Sequence, residues 1–574
     1  MRVRAAVVVV TLASALLHPA WAVLHRPAWM DDEGIVMAGS WEAPAFRARG
    51  AGRMDFKLPP ESLGGYQREH SQEMIDELKA LGVNFIMTHG YKGYGFNVER
   101  EGMDDARRFA DLIHKSGVRV GAYIGSTLGW ESLFQEVPEA KSWMWLDPNG
   151  QPAYYSGTQQ HRYVAMKNNA GYIAYIQRAV RFAVEEMHAD LIHFDNTSQV
   201  ATGWDPTSVA QFREFLQGRG FPGAPQAVPP VTQAAADPQL WRYWVEYRCE
   251  ALAHYQAEMT RFIRSLNPQC AVECNPGGMG SGRYNNGVDH ARLLELVNAY
   301  WDESSGAGWT EKGPRTRILS LKLGQAFRNS TFLYTESALD AAEMLAFNAN
   351  CLGCVAWFQD GKIVSGHGGR VEGFREHLAP YVEFFHEYRS LLRDARPVAD
   401  VAVLRDFQTM AFGPSEVKSR ILSIEQKLIE ERVPFAIIFD QQREQFKRYP
   451  AIIAAPGYDL GDYKGRIIRA DAPDIEKLLP TLARLAIEAP PGVVVELAEG
   501  EYSGKLLLHL VNYNVAKPAG DIKVSIRPKK GRSGNVRLYA PGRPPAPVKR
   551  VVTFGRNMAF TVPDLNVYRL VVIG

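Results

Sequence analysis

Apolar runs in this 574-residue chain end abruptly in carboxylates at several separate places. Leu191-Ile192-His193-Phe194 stops at Asp195-Asn196. Ala271-Val272 stops at Glu273, Tyr300-Trp301 at Asp302-Glu303, and Phe332-Leu333-Tyr334-Thr335 at Glu336. Carboxyl groups gathered from separate segments can split a glycosidic bond. One acid protonates the leaving oxygen while a second carboxylate attacks the anomeric carbon or activates water; a gap of about 5 Å selects the covalent, retaining route. Asp195, Glu303, Glu336 and Glu273 are therefore the candidate catalytic residues. Singly, each has a plainer use: Asp195 as a cap on the loop that follows it, the glutamates as partners of arginines such as Arg283 or Arg370. Their shared position at strand ends favours chemistry.

Sugars present C–H faces to aromatic rings and hydroxyls to polar tips. Trp41, His89, Tyr91, Tyr123, His193, Asn196, Asn275, Trp301, Asp302 and Trp357 fall at or near these strand ends and are the candidate substrate-binding residues. Tyr94, Trp130, Trp309, Glu42 and Asp360 are further candidates for the pocket wall, though some of the aromatics must be ordinary packing. Strand side chains alternate between faces. Leu191, His193 and Asp195 share one face and point inward, while Ile192 and Phe194 share the other and suit a layer of helices. His193 reads first as a hydrogen-bonded core histidine.

The elements that would hold these groups alternate strand and helix from about Gly34 to Arg396. Strands are expected at 34–39, 83–87, 118–124, 191–195, 271–273, 297–301, 331–336 and 355–358. The intervening segments carry apolar residues at helical spacing. Eight such pairs close into a (β/α)8 barrel, whose active sites lie at the carboxyl ends of the strands. No glycine-rich phosphate turn follows the first strand, which disfavours an open dinucleotide-binding sheet. After Arg396-Pro397 the pattern restarts as a small flavodoxin-like α/β unit with strands at 401–404, 434–438 and 451–456. From Pro490 short alternating strands separated by Pro541-Gly542 and Pro544-Pro545 read as a β-sandwich. The expected division is a leader at 1–22, a barrel at 23–397, the α/β unit at 398–489 and the sandwich at 490–574.

Arg2 and Arg4, the apolar stretch Ala5 to Leu17, and Ala20-Trp21-Ala22 make a secretory signal with cleavage before Val23. Export to the periplasm or the extracellular space is expected, with no membrane attachment afterwards. Formal net charge is +2 with mixed signs, which argues against nucleic acid as a partner. Lys529-Lys530-Gly531-Arg532 reads as a solvated loop. Cys249, Cys270, Cys274, Cys351 and Cys354 are expected as buried fillers, with Cys351 and Cys354 at a helix–strand corner. A disulfide is permitted by export, but an odd count leaves one thiol over. Neither a metal nor an organic cofactor is called for. A homo-oligomer is left open.

Ile192-His193-Phe194-Asp195-Asn196, Tyr334-Thr335-Glu336-Ser337 and Leu507-Leu508-His509-Leu510-Val511-Asn512-Tyr513 carry a resemblance. Over nearly the whole mature chain the layout resembles secreted glycoside hydrolases that join a TIM barrel to a flavodoxin-like domain and a β-sandwich. It is similar to bacterial β-galactosidases with a trimerisation domain. Those enzymes carry Asn-Glu at the fourth strand, whereas this chain has Asp195-Asn196; Glu336 matches their seventh-strand nucleophile. Barrel α-galactosidases and α-fucosidases resemble the chain in placing a nucleophilic Asp at the fourth strand, and the α-galactosidase pattern puts the proton donor at the sixth. The second analogy implies that Asp195 attacks and that Asp302 or Glu303 donates, with Glu303 preferred. The expected activity is cleavage of terminal glycosidic bonds, with retention. A non-catalytic carbohydrate-binding protein on a decayed barrel is the alternative, and a transglycosylase would share the same site.

Overall fold

The computed structural model describes residues 25–574 except 156–161, 200–202, 278–279, 281, 312, 366–368, 371–376, 394 and 529–534. The leader, the side chain of Arg370 and the Lys529–Arg532 run lie outside the described residues.

Eight parallel strands form the barrel: β1 Ile35–Ser40, β2 Phe85–Tyr91, β3 Arg119–Gly125, β4 Leu191–Asp195, β5 Ala271–Cys274, β6 Ala299–Trp301, β7 Ser330–Phe332 and β8 Cys351–Gln359. Each pairs with its sequence neighbour, and β1 pairs with β8. Just beyond β7, a parallel bridge between Tyr334 and Cys354 closes the ring. Ile86, Val120, Ile192, Phe194 and Val272 face the helices, where they pack with Ala106, Phe109, Ile113, Ile176 and Val180. Burying a side chain the size of Ile192 or Phe194 contributes about 1.5–3 kcal/mol. Met37, Phe85, Met87, Leu191, Ala271, Ala299, Trp301 and Phe332 fill the interior. The barrel interior is thus filled by packed side chains.

Local signals explain the helix starts. Asn169 accepts from Gly171 and Tyr172 at the start of helix Ala170–Arg181. Asp237 and Pro238 begin the long helix Pro238–Leu266, with the proline where its missing N–H costs nothing. Among the described residues several insertions escape the strand–helix rhythm, two of them near the fourth strand. A short hairpin, Leu128–Trp130 with Arg162–Val164, follows β3. A helix at Pro206–Gly218 follows β4. Strand β8 starts at Cys351, earlier than its apolar run suggests, so Cys351 and Cys354 lie in the barrel interior rather than at a corner. All five cysteines are buried and unpaired.

Beyond the barrel, four parallel strands run in the order Phe435–Phe439, Val401–Arg405, Ala451–Ala454, Arg466–Arg469. The carboxyl-terminal part is two facing antiparallel sheets. The larger runs Ala395–Pro397, Val493–Gly500, Leu506–Asn512, Tyr568–Ile573, Val536–Ala540, Arg543–Pro547. The smaller runs Leu485–Glu488, Ile522–Ile526, Asn557–Val562, Val551–Phe554. Pro544 and Pro545 sit inside the strand Arg543–Pro547 instead of separating strands. That strand lies at a sheet edge, where a residue without an N–H is tolerated.

The larger sheet is covered on both faces, which explains why Leu506–Val511 is apolar nearly throughout. Leu506, Leu508 and Leu510 pack against the smaller sheet, while Leu507 and Val511 pack in the main core with the barrel helices. Helix Ile318–Phe327 joins the parts. The Lys322 amine donates to the Phe435 carbonyl at 2.8 Å and to Glu496 Oε2 at 2.9 Å, and Gln325 donates to Glu496 Oε1 at 3.2 Å. Among the described residues no helix is long and apolar enough to cross a membrane.

Candidate functional site

Asp195 ends β4 with its side chain over the barrel mouth. Tyr123, from β3, donates its hydroxyl to Asp195 Oδ2 at 2.5 Å, and the adjacent Asn196 amide donates to the same oxygen at 2.5 Å. Asn196 has φ 50°, a left-handed geometry that asparagine tolerates better than most residues. Tyr155 in turn donates to Asn196 Oδ1 at 3.3 Å. The other oxygen, Oδ1, accepts from the Asn275 amide at 3.3 Å. That same Asn275 nitrogen donates to Glu303 Oε1, also at 3.3 Å. The Asp195 and Glu303 oxygens are therefore separated by no more than the sum of these two contacts. One amide, from the turn after β5, holds carboxylates from β4 and from the loop after β6 around one small space.

Beneath this pair lies a buried ionic layer. His193 Nδ1 is bonded to Glu273 Oε2, and both side chains are almost fully enclosed. Burial pushes the Glu273 carboxyl up, against the stabilising His193 charge. Burial also works against protonated His193, but the Glu273 charge and hydrogen bond outweigh it and its pKa is raised. Glu273 thus lies below the mouth as the partner of His193, not beside the open space. Among the described residues His193 Nε2 and Glu273 Oε1 have no hydrogen-bond partner.

Two buried lysines flank Asp195. The Lys92 amine stands 3.6 Å from the centre of the Tyr123 ring and 3.7 Å from Glu42 Oε1; burial lowers its pKa, with Glu42 and Asp195 opposing. Lys167 donates to Thr127 Oγ1 at 2.7 Å and to the Ser198 carbonyl at 3.3 Å. Burial pushes Lys167 down to about 7 despite the Asp195 charge. Tyr123 is held well above the ordinary phenol range by burial and by Asp195, so it remains a donor. Lys92, Lys167 and Tyr155 are absent from the residues chosen by sequence. A lysine reads as a solvated surface charge, and only the apolar flanks Ala165-Met166 and Gly90-Tyr91 hint at burial.

The aromatic candidates divide. Trp41 stands among Tyr123, His193, Trp301 and Trp357, with ring centres 6.3, 6.4, 5.3 and 4.1 Å away. Trp41 and Trp357 are only part-buried, whereas Trp301 is almost fully buried. Tyr334 packs on Trp301 with centres 5.3 Å apart and feels the charges of Glu303, Glu336 and Asp195. His89 is occupied elsewhere: its Nε2 bonds Tyr66 at 2.8 Å and its ring stacks on His70. Tyr91 turns outward, bonded to the Tyr175 hydroxyl at 3.1 Å in the helix layer, because the register shifts between His89 and Tyr91. Asp302 is spent locally, accepting from the Ser304 N–H at 3.0 Å and hydroxyl at 3.1 Å. This is the capping role that the sequence equally allowed for Asp195. Glu336 is exposed, and its N–H donates to Asp340 Oδ2 at 3.2 Å. Trp309 and Asp360 are exposed, the former against Gly492 and the latter in the turn after β8.

No protein-family model matches the sequence, and no curated protein matches it either. Solved structures do match in fold. An α-L-fucosidase isoenzyme 2 from Paenibacillus thiaminolyticus superposes with a TM-score of 0.62 at 15% identity, covering 88% of this chain and 96% of that one. A GH42 β-galactosidase from G. stearothermophilus superposes with a TM-score of 0.65 at 11% identity, covering 94% and 98%. A β-galactosidase from Bacillus circulans sp. alkalophilus gives 0.60 at 12%, covering 94% and 99%. At these identities the likeness is one of fold: a TIM barrel followed by a carboxyl-terminal β domain.

Proposed function

We propose that this chain is an exported glycoside hydrolase that cleaves terminal glycosidic bonds with retention of configuration. The observation that carries the proposal is the single Asn275 amide touching both Asp195 and Glu303. Two contacts of 3.3 Å to one nitrogen keep the nearer Asp195 and Glu303 oxygens within about 6.6 Å of each other, which supports a retaining pair, about 5–5.5 Å apart, over the wider part of the inverting range, about 6.5–9.5 Å. The names of the structural neighbours, an α-L-fucosidase and β-galactosidases, agree with this chemistry and suggest fucosides and galactosides as first substrates.

Asp195 is the nucleophile. Its Oδ2 accepts from both Tyr123 and Asn196, whereas Oδ1 accepts from Asn275 alone and keeps a lone pair to attack the anomeric carbon and form the ester. Glu303 donates its proton to the departing oxygen, then takes one from the water that hydrolyses the ester. The Asp195 charge opposes the lowering by burial of the Lys92 and Lys167 pKa values. Trp41, Trp301 and Trp357 supply the apolar wall for the sugar, and Glu336 meets its outer hydroxyls or replaces Glu303 as donor. His193 and Glu273 form the polar floor. In the wider chain, residues 1–22 act as the leader, 23–397 as the catalytic barrel, 398–489 as a small flavodoxin-like unit and 490–574 as a sandwich.

The test is a screen of 4-nitrophenyl glycosides, fucosides and galactosides of both anomers first, with the anomer of the first-formed product followed by NMR. Release of 4-nitrophenol with retained configuration is expected. An inverted first product removes Asp195 as nucleophile. Binding of sugars without turnover of any glycoside returns the chain to the carbohydrate-binding alternative.

A further inference from the structure

The loops that carry Glu303, Tyr334 and Glu336 are held by a buried ionic network that reaches out of the barrel. Asp340 is its inner end. Its Oδ1 accepts from the Ala307 N–H at 2.8 Å, and its Oδ2 accepts from the Glu336 N–H at 3.2 Å and the Ser337 hydroxyl at 2.7 Å. One carboxylate thus pins the loop after β6 to the loop after β7. Arg317 stands behind it, 3.1 Å from Asp340 Oδ1, and donates to the Tyr334 carbonyl at 2.7 Å. Arg317 also donates to Glu343 from its N–H at 2.9 Å and its Nε at 2.7 Å. The outer end lies in another part of the molecule. The Tyr513 hydroxyl donates to Glu343 Oε1, and Tyr513 directly follows the strand Leu506–Asn512 of the larger carboxyl-terminal sheet. Arg317, Glu343 and Tyr513 are all almost fully buried.

We propose that the carboxyl-terminal sheet is a working part of the catalytic site: Tyr513, acting through Glu343, Arg317 and Asp340, is a positioning residue for the loops that bear Glu303 and Glu336. A lone arginine between two carboxylates could swing toward either. The Tyr513 hydroxyl saturates Glu343 and fixes the guanidinium, so that Asp340 and the Tyr334 carbonyl are met in one geometry. Arg317 Nη2 stands at ion-pair distance from Asp340 but makes no hydrogen bond among the described residues, so the bonds to Glu343 and the Tyr334 carbonyl are what place the guanidinium. Glu303 and Glu336 lie on irregular loops, where position is otherwise poorly determined. The kinetic arm of the test rests on the glycosidase reading; the exchange arm does not.

Tyr513→Phe removes one hydroxyl and keeps the ring. Hydrogen–deuterium exchange on the full chain is expected to rise about tenfold in peptides covering 303–311 and 334–340, the stretches holding the Ala307 and Glu336 amides, with β1 to β5 unchanged. On the aryl glycoside that the wild type cleaves best, kcat is expected to fall about tenfold with KM within about twofold, because the acid is displaced while the sugar wall stays. Gln325→Leu is the control. It loosens the contact with Glu496 between barrel and sheet and the bond to the Phe347 carbonyl at the far end of helix Ala338–Phe347, removes no hydrogen bond of the network, and should leave both exchange and kcat near wild type. Should Tyr513→Phe fail to fold, Glu343→Gln, which keeps an acceptor for the hydroxyl but loses the charge on Arg317, takes its place with the same expectation. Unchanged exchange at both loops overturns the proposal, as does equal loss of kcat in Tyr513→Phe and Gln325→Leu. A wild type that cleaves no glycoside defeats the catalytic reading alone, and exchange then still decides the coupling.

Discussion

Replacing Asp195 by Asn separates chemistry from architecture in this site. The amide keeps the shape of the carboxylate, and its oxygen can still accept from Tyr123 and Asn196, while its NH2 then faces the Asn275 amide and that bond is lost. What is lost is the charge that attacks the anomeric carbon. Removing a nucleophile costs about 10⁴- to 10⁶-fold in rate in well-studied hydrolases, or about 5–8 kcal/mol of transition-state stabilisation at about 1.36 kcal/mol per factor of ten. Stability should barely move. The bonds from Tyr123 and Asn196 weaken to neutral ones and the Asn275 bond is lost, together about 1–2 kcal/mol. Against this, the Asp195 charge pushes up the pKa of the buried Glu273 carboxyl beneath it, and that repulsion disappears. The net change in unfolding free energy is therefore expected within about 1 kcal/mol of zero. The assay is release of 4-nitrophenol from the best aryl glycoside, together with urea unfolding of the same preparation. A variant that folds normally and keeps more than about a tenth of wild-type kcat/KM refutes the assignment, since no nucleophile is dispensable to that degree.

Glu303→Gln should depend on the leaving group. Turnover of substrates whose leaving group needs a proton is expected to fall about 10²- to 10⁴-fold, while dinitrophenyl glycosides lose far less; an equal loss for both excludes Glu303 as the donor. Lys167 links the site to stability through pH. Its pKa is about 7 in the folded chain against an ordinary 10.5, so between those values the unfolded chain binds a proton that the folded chain does not, and stability rises with pH by up to about 1.4 kcal/mol per unit. Lys167→Met should abolish that rise in urea midpoints measured from pH 7 to 10, and parallel wild-type and variant curves would contradict it. Ile192→Ala, at a fully buried helix-facing position of β4, should cost about 2–5 kcal/mol of stability and leave KM unchanged; a large shift in KM would mean that β4 is not rigidly held.

The barrel was legible because its strands are buried apolar runs broken by charge, and Asp195, Glu273, Glu303 and Glu336 mark four of the breaks. Alternation along β4 was readable as well, since Leu191 and His193 face the interior and Ile192 and Phe194 the helices. The division of labour among the acids was not. Glu273 and Asp195 look alike in sequence, and only the third dimension pairs one with His193 and leaves the other at the mouth. Asp302 and Glu303 are adjacent, yet Ser304 engages the first and Asn275 the second. Tyr91 misled because one irregularity at the end of β2 turns it outward, and a one-residue slip exchanges the faces of a strand. Lys92 and Lys167 were invisible because lysine burial depends on partners far away in sequence. Pro544-Pro545 read as a break because the edge of a sheet cannot be told from its middle before the pairing is known.

The Lys322–Glu496 contact has a consequence in time. Its two ends are 174 residues apart in the chain. At about 5–20 residues per second of synthesis, the amine leaves the ribosome about 9–35 s before its carboxylate exists. During that delay the helix that carries Lys322 lacks the Glu496 counter-charge, so its seat against the barrel stays unfinished until about the last seventh of the polypeptide emerges. A ribosome paused beyond Arg396 would hold an early, unlatched intermediate that proteases should cut within Ile318–Phe327 and spare once Glu496 has been added.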